Sequence, residues 1–170
     1  MIPASLTVGG LGVGLAILGV NLWKWWKSPG RDPKALLPFA AGLSLGALAT
    51  LCAGGLLGVL AGWTAGLNNK AGEVAVPGAT GTSSGAVARG SMGALTSGGA
   101  LLVFLLAVAY VVAWRAANKE LKRKLLGGWW SGATLSLSAG AAGILASTLV
   151  PLVNDAGGEV LAFFEGGGFL

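Results

Sequence analysis

The chain has 170 residues, of which 54% are hydrophobic and only 10% charged, and its mean hydropathy is +0.77. A soluble domain carries roughly 25% charged residues, so this composition holds more apolar surface than a soluble core of this size can hide. The sequence has no His and a single cysteine, Cys52, which excludes imidazole ligation, an internal disulfide and a cysteine zinc cluster.

The charges are bunched, leaving uncharged runs at 1–23, 35–69, 90–114 and 125–154. A helix needs about 20 apolar residues to cross the ~30 Å hydrocarbon core, and each run is long enough to cross once. The expected fold is all-α: a polytopic membrane protein with about four transmembrane helices arranged as two tandem helical hairpins.

The first span is expected over 6–23. Lys24, Trp25, Trp26 and Lys27 follow it directly, and Trp at headgroup level with Lys beyond it is how a helix end is anchored. Positive charge after the apolar run is the reverse of the order in a signal peptide, so the segment reads as an uncleaved anchor with its N-terminus outside. The basic loop 24–34 sets Lys24, Lys27, Arg31 and Lys34 against Asp32 and carries Pro29, Gly30 and Pro33. A loop this short makes the next helix an antiparallel neighbour, closing a first hairpin over 1–67. Its second span, 37–63, is ~40 Å long as one helix and must tilt, kink at its glycines or protrude.

Residues 68–99 are rich in Gly, Ser, Thr and Ala, with Lys70, Glu73 and Arg89 as the only charges. Such a stretch reads as a mobile external loop. The second hairpin is expected over 100–153. Its first span ends at Trp114, and the basic stretch 115–124, with Arg115, Lys119, Lys122, Arg123 and Lys124 around Glu120, is expected to carry that helix into the cytoplasm. Trp129 and Trp130 mark re-entry, and the last span leaves through Pro151 into a tail, 154–170. That tail is acidic at Asp155, Glu159 and Glu165 and apolar at 160–164, Phe169 and Leu170. Lys and Arg are retained in the cytoplasm, so both termini are expected outside the cell membrane. The nine basic residues of the two loops would contact anionic headgroups, and Trp23, Trp25, Trp26, Trp63, Trp114, Trp129 and Trp130 would anchor the helix ends. The tandem arrangement rests on topology alone.

No Asp, Glu, Lys or Arg falls well inside an expected span. Proton relays, ion coupling and general acid–base catalysis need such groups, so the chain reads as no enzyme, with no catalytic residues, cofactor or metal. What the spans do contain is glycine at helix-packing spacing: Gly10 and Gly14, then Gly42 and Gly46, then Gly54, Gly58 and Gly62, with Gly132, Ser136 and Gly140 on one stripe of the fourth span and Ala139, Gly143 and Ser147 on another. Small residues four apart let helix backbones approach, which matters in lipid because apolar tails give helices no hydrophobic reason to associate. Ser and Thr within the spans bond back to the preceding turn or across a helix contact more often than they line a wet path.

These features point to a non-catalytic structural or accessory subunit of a helix-packed membrane assembly. Its expected partners are membrane lipids and either further copies of itself or other membrane subunits, with no small-molecule substrate and no nucleic acid. In size and topology the whole chain is also similar to phage holins, which implies a membrane-permeabilising oligomer. The helix, basic loop, helix layout resembles conjugative pilins as well, which implies a component of a conjugation or secretion apparatus.

Overall fold

The computed structural model describes residues 6–52 and 54–166. After the short strand β1 (Leu6–Thr7), α1 runs over Val8–Lys27. Thr7 starts it: its extended backbone and its hydroxyl, which accepts from the Gly10 N–H at 3.0 Å, satisfy one of the orphan donors of the first turn. The chain turns over Ser28–Asp32 with Gly30 and Arg31 at positive φ. Asp32 then caps a single 3-10 turn, Pro33–Leu36, by accepting from the Lys34 N–H at 2.9 Å.

The expected second span is broken in two. Helix α2 covers Leu37–Ala49 and α3 covers Leu56–Thr80. Thr50 turns its hydroxyl back to the Ala47 carbonyl, and Gly54 adopts a φ of +88°, open to glycine but costly for a side chain. Beyond the break, helix continues through Asn68, where the sequence suggested a loop, until Gly81 closes it at φ +70°.

The connection between the halves is hydrogen-bonded across one end of the bundle. Strand β2 (Ala86–Val87) pairs antiparallel with β1, Gly85 accepts from the Val8 N–H, and the Ser84 hydroxyl accepts from the Gly9 N–H. Past β2 the chain crosses to the second half, where Ala88 accepts from Ala139 and the Gly90 N–H donates to Leu137. These hydrogen bonds run to two helix termini, which is how a stretch poor in apolar side chains becomes ordered.

The second half repeats the plan. Helix α4 covers Ser97–Ala116, and α5 covers Lys119–Leu135. The basic stretch therefore reverses at Ala117–Asn118 instead of prolonging α4, because Asn118 caps α5 through Leu121 at 2.9 Å. After a break at Ser136–Ser138 come α6 (Ala139–Ser147) and α7 (Leu149–Phe164). The stretch from Asn154, expected as a tail, is helical and packs through Val153 and Gly157; Phe169 and Leu170 lie outside the described residues.

Among the described residues, three helices are long and apolar enough to cross a membrane: α1, α4 and the pair α6–α7 taken over Ala139–Phe164. The described residues are thus mainly helical, with the β1–β2 pairing and an isolated bridge between Arg89 and Ser138, and the apolar surface faces outward, with Leu56 at 75%, Trp63 at 65% and Phe104 at 61% exposure. In lipid that surface needs no covering.

Candidate functional site

The packed centre is built from glycine and short polar side chains. Helices α2 and α5 run parallel: a Cβ on Gly42 would overlap the Leu125 carbonyl, and one on Gly46 the Trp129 carbonyl. In return, Gly128 faces the Phe39 carbonyl and Gly132 the Leu43 carbonyl. Four glycines, two on each helix and four residues apart, bring the two backbones together with nothing between them. At the end of this pair the Thr50 and Ser136 hydroxyls meet at 3.3 Å, where both helices stop.

Two further contacts have the same chemistry in each half. In the first, Gly9 on α1 lies against the backbone of Gly72 on α3, and Asn69 Oδ1 accepts from the Thr7 N–H at 3.0 Å and from the Thr7 hydroxyl at 3.2 Å. In the second, Gly98 on α4 lies against Gly157 on α7, and Asn154 Oδ1 accepts from the Thr96 N–H at 2.9 Å and from the Thr96 hydroxyl at 3.2 Å. Each Thr hydroxyl caps its own helix by accepting from the third residue on, Gly10 or Gly99, at 3.0 Å. Each clasp thus fixes a helix start and joins two antiparallel helices with one Asn carboxamide.

The sequence carries the match: Leu6-Thr7-Val8-Gly9-Gly10 against Leu95-Thr96-Ser97-Gly98-Gly99, and Asn69 to Gly72 against Asn154 to Gly157. Gly42, Gly46 and Thr50 likewise correspond to Gly128, Gly132 and Ser136. The two halves thus match at these positions, and the contacts between α2 and α5 are reciprocal. The signal was present as a repeated Thr-x-Gly-Gly motif; glycine spacing within single spans passed over it.

The halves are also interlocked. The Ser131 hydroxyl of α5 donates to the Gly14 carbonyl of α1, the Asn68 carboxamide donates to Thr134 at 2.5 Å, and the Trp129 indole donates to the Thr64 hydroxyl at 3.1 Å. Among the described residues, every buried side-chain nitrogen or oxygen has a hydrogen-bond partner.

The candidate residues fall as follows. Gly10 faces Asn69, Gly14 faces Leu135 and Thr134, and Gly42 and Gly46 face α5. Gly58 and Gly62 are buried within α3, but Gly54 stands in the break before it, so the three do not form one helical stripe. Gly140 and Gly143 have open space where a Cβ would stand. Gly9, Gly72, Gly98, Gly128 and Gly157 make the close contacts that the sequence did not single out.

Of the tryptophans, Trp23 and Trp26 are exposed beside the basic end, with Lys27 over the Trp23 ring at 4.7 Å and Arg31 over Trp26 at 4.3 Å. The Trp25 indole donates to the Asp32 carbonyl at 2.9 Å. Trp129 is half-buried, its ring 6.3 Å from Tyr110, which also stacks on Trp114 at 6.4 Å; Trp130 is likewise half-buried on α5. Trp63 lies well within α3, level with the Thr64–Trp129 bond, and not at a helix end.

The two basic stretches sit at one end of the bundle, where Lys24 and Ser28 of the first border the same recess as Arg123 and Lys124 of the second. Lys34, Arg115 and Lys119 are exposed there and Lys122 is half-buried. Glu120 pairs with Lys124 at 3.0 Å, and the hydrogen bond and charge of Lys124 hold its carboxyl below the ordinary glutamate value. Among the described residues, no three His, Cys, Asp or Glu side chains cluster as a metal site would require. No protein-family model matches the chain, and no curated protein or solved structure is significantly similar to it.

Proposed function

We propose that this chain is a non-catalytic integral membrane subunit whose activity is assembly: a duplicated helix unit that presents a lipid-exposed surface to further membrane subunits. The observation that carries this reading is the use made of its intramembrane polar groups. Asn68, Asn69, Thr64, Ser131, Thr134 and Trp129 are spent on joining helices, the role short polar side chains serve in lipid-embedded bundles.

The chain would pass through the bilayer four times: down through α1, up through the broken segment α2–α3, down through α4 and up through the broken segment from α5 to α7. The antiparallel clasps support that course, since Gly9 at the start of α1 meets Gly72 within α3 and Gly98 at the start of α4 meets Gly157 within α7, both far from the basic loops. The positive-inside tendency puts the basic end in the cytoplasm and both termini outside. In a Cys52→Ala background, a cysteine at exposed Ala116 should be shielded from an impermeant thiol reagent in intact cells and one at exposed Thr82 should be labelled. The opposite pattern would overturn the orientation.

Purification from the native host in mild detergent, with mass determination of the intact assembly, tests the function. Stoichiometric partners are the expected result. A pure homo-oligomer that conducts ions in planar bilayers would refute the accessory reading and favour the permeabilising one.

A further inference from the structure

At the basic end, the last turns of α1, the start of α2 and the first turns of α5 enclose a recess of about 210 Å³. It is smaller than the ~300–1,000 Å³ pockets that swallow a whole small molecule, so it suits a fragment such as a headgroup. Its rim carries Lys24, Arg123 and Lys124, with the Ser28 hydroxyl beside them, and its floor is apolar at Phe39. The only carboxylate on the rim, Glu120, is paired with Lys124. That leaves Lys24 and Arg123, from opposite halves of the repeat, without a carboxylate in ion-pair range among the described residues. The neighbouring cations are engaged elsewhere: Lys27 and Arg31 lie over the rings of Trp23 and Trp26.

An Arg fork, a Lys point charge and a hydroxyl lining one recess with an apolar wall match a phosphate group that carries an apolar extension. We propose that this recess binds a phosphate group, and that it thereby bridges the two halves at their basic ends. Phosphate occurs at that level in phospholipid headgroups and also free in solution. The site rests on the reading above that this end lies at a membrane surface, but its test does not depend on which leaflet that is.

Purified protein in neutral detergent is offered phosphatidylglycerol, phosphatidylcholine or millimolar inorganic phosphate. Retained lipid is counted by intact-mass measurement, and the unfolding midpoint is recorded. Wild type is expected to retain phosphatidylglycerol in preference to phosphatidylcholine, and the pair Lys24→Gln with Arg123→Gln to lose that preference by roughly tenfold or more. Lys70→Gln, an exposed cation at the opposite end of the bundle, should keep it. Lys24, Arg123 and Lys70 are all exposed, and an unchanged elution volume confirms that each variant is folded. A midpoint raised by inorganic phosphate, in wild type but not in the Lys24 and Arg123 variant, would identify free phosphate as an occupant. Equal retention of the two lipids without a phosphate effect, or equal responses in wild type and the Lys24 and Arg123 variant, would overturn the site. If thiol labelling inverts the topology while selective retention persists, the orientation falls and the site stands.

Discussion

Replacing Gly132 by Ala tests the central helix pair most directly. The new methyl would overlap the Leu43 carbonyl oxygen, with the Leu43 carbonyl carbon and Cα also within 2.9 Å. All three are backbone atoms, so no rotamer change relieves the clash and α2 must move away from α5. Overpacking of this kind costs about 1–3 kcal/mol, and a gap of 0.5–1 Å forfeits roughly a quarter to a half of each dispersion contact along the pair. The Thr50–Ser136 bond at 3.3 Å would lengthen beyond hydrogen-bond range. For a chain of this length about 1 kcal/mol moves the unfolding midpoint by ~2–4 °C, so thermal unfolding in neutral detergent should show a loss of roughly 2–12 °C. Gly46→Ala should behave alike, because its methyl would meet the Trp129 carbonyl and the Ala133 nitrogen. Gly140→Ala is the control: its Cβ would meet open space, and Gly140 lies in the first turn of α6, where alanine is no worse a helix former than glycine. A Gly132→Ala protein that unfolds with wild type, or a Gly140→Ala protein that unfolds below it, would refute the packing argument.

The two Asn clasps should respond in the same direction but unequally. Asn69→Ala leaves the Thr7 N–H and hydroxyl without their acceptor in a buried setting, a loss of about 1–3 kcal/mol, whereas the Asn154 clasp is exposed and should lose less; unfolding midpoints that rank the other way would contradict the assignment. Glu120, whose carboxyl is held low by Lys124, contributes its ion pair above the ordinary glutamate pKa and loses it as pH falls through the lowered value. Wild type and Glu120→Gln should therefore differ slightly at neutral pH and converge in acid, and a difference that survives in acid would show that Glu120 acts other than through its charge.

Hydropathy made the helical class and the positions of α1 and α4 legible, because an apolar run of membrane length admits few other structures. The breaks at Thr50–Gly55 and Ser136–Ser138 were not legible, since apolar residues continue through both and the stop comes from Thr and Ser hydroxyls turning back on the preceding carbonyls. The glycines at 42 and 46 stood out by spacing. Gly132 stood out by its spacing to Ser136 and Gly140, whereas Gly128 lies directly before Trp129 and Trp130, residues that read as interface markers rather than as part of a contact. Gly72 and Gly157 were hidden for another reason: each lies in a polar stretch that composition assigned to a loop or tail, and only the Asn three residues earlier explains why it is helical and packed.

The interlocking of the repeats bears on the order in which the protein is made. The contacts of α1 with β2 and α3 need only residues up to 87, so the first clasp can close while the second half is still being synthesised. The glycine face of α2 has no such local partner; Gly42 and Gly46 wait for α5, and Gly14 waits for Ser131. A nascent chain stalled before Lys119 would hold a finished α1–α3 pair beside a half-length helix with an uncovered backbone, a surface suited to capture by a membrane chaperone or by α5 of another copy.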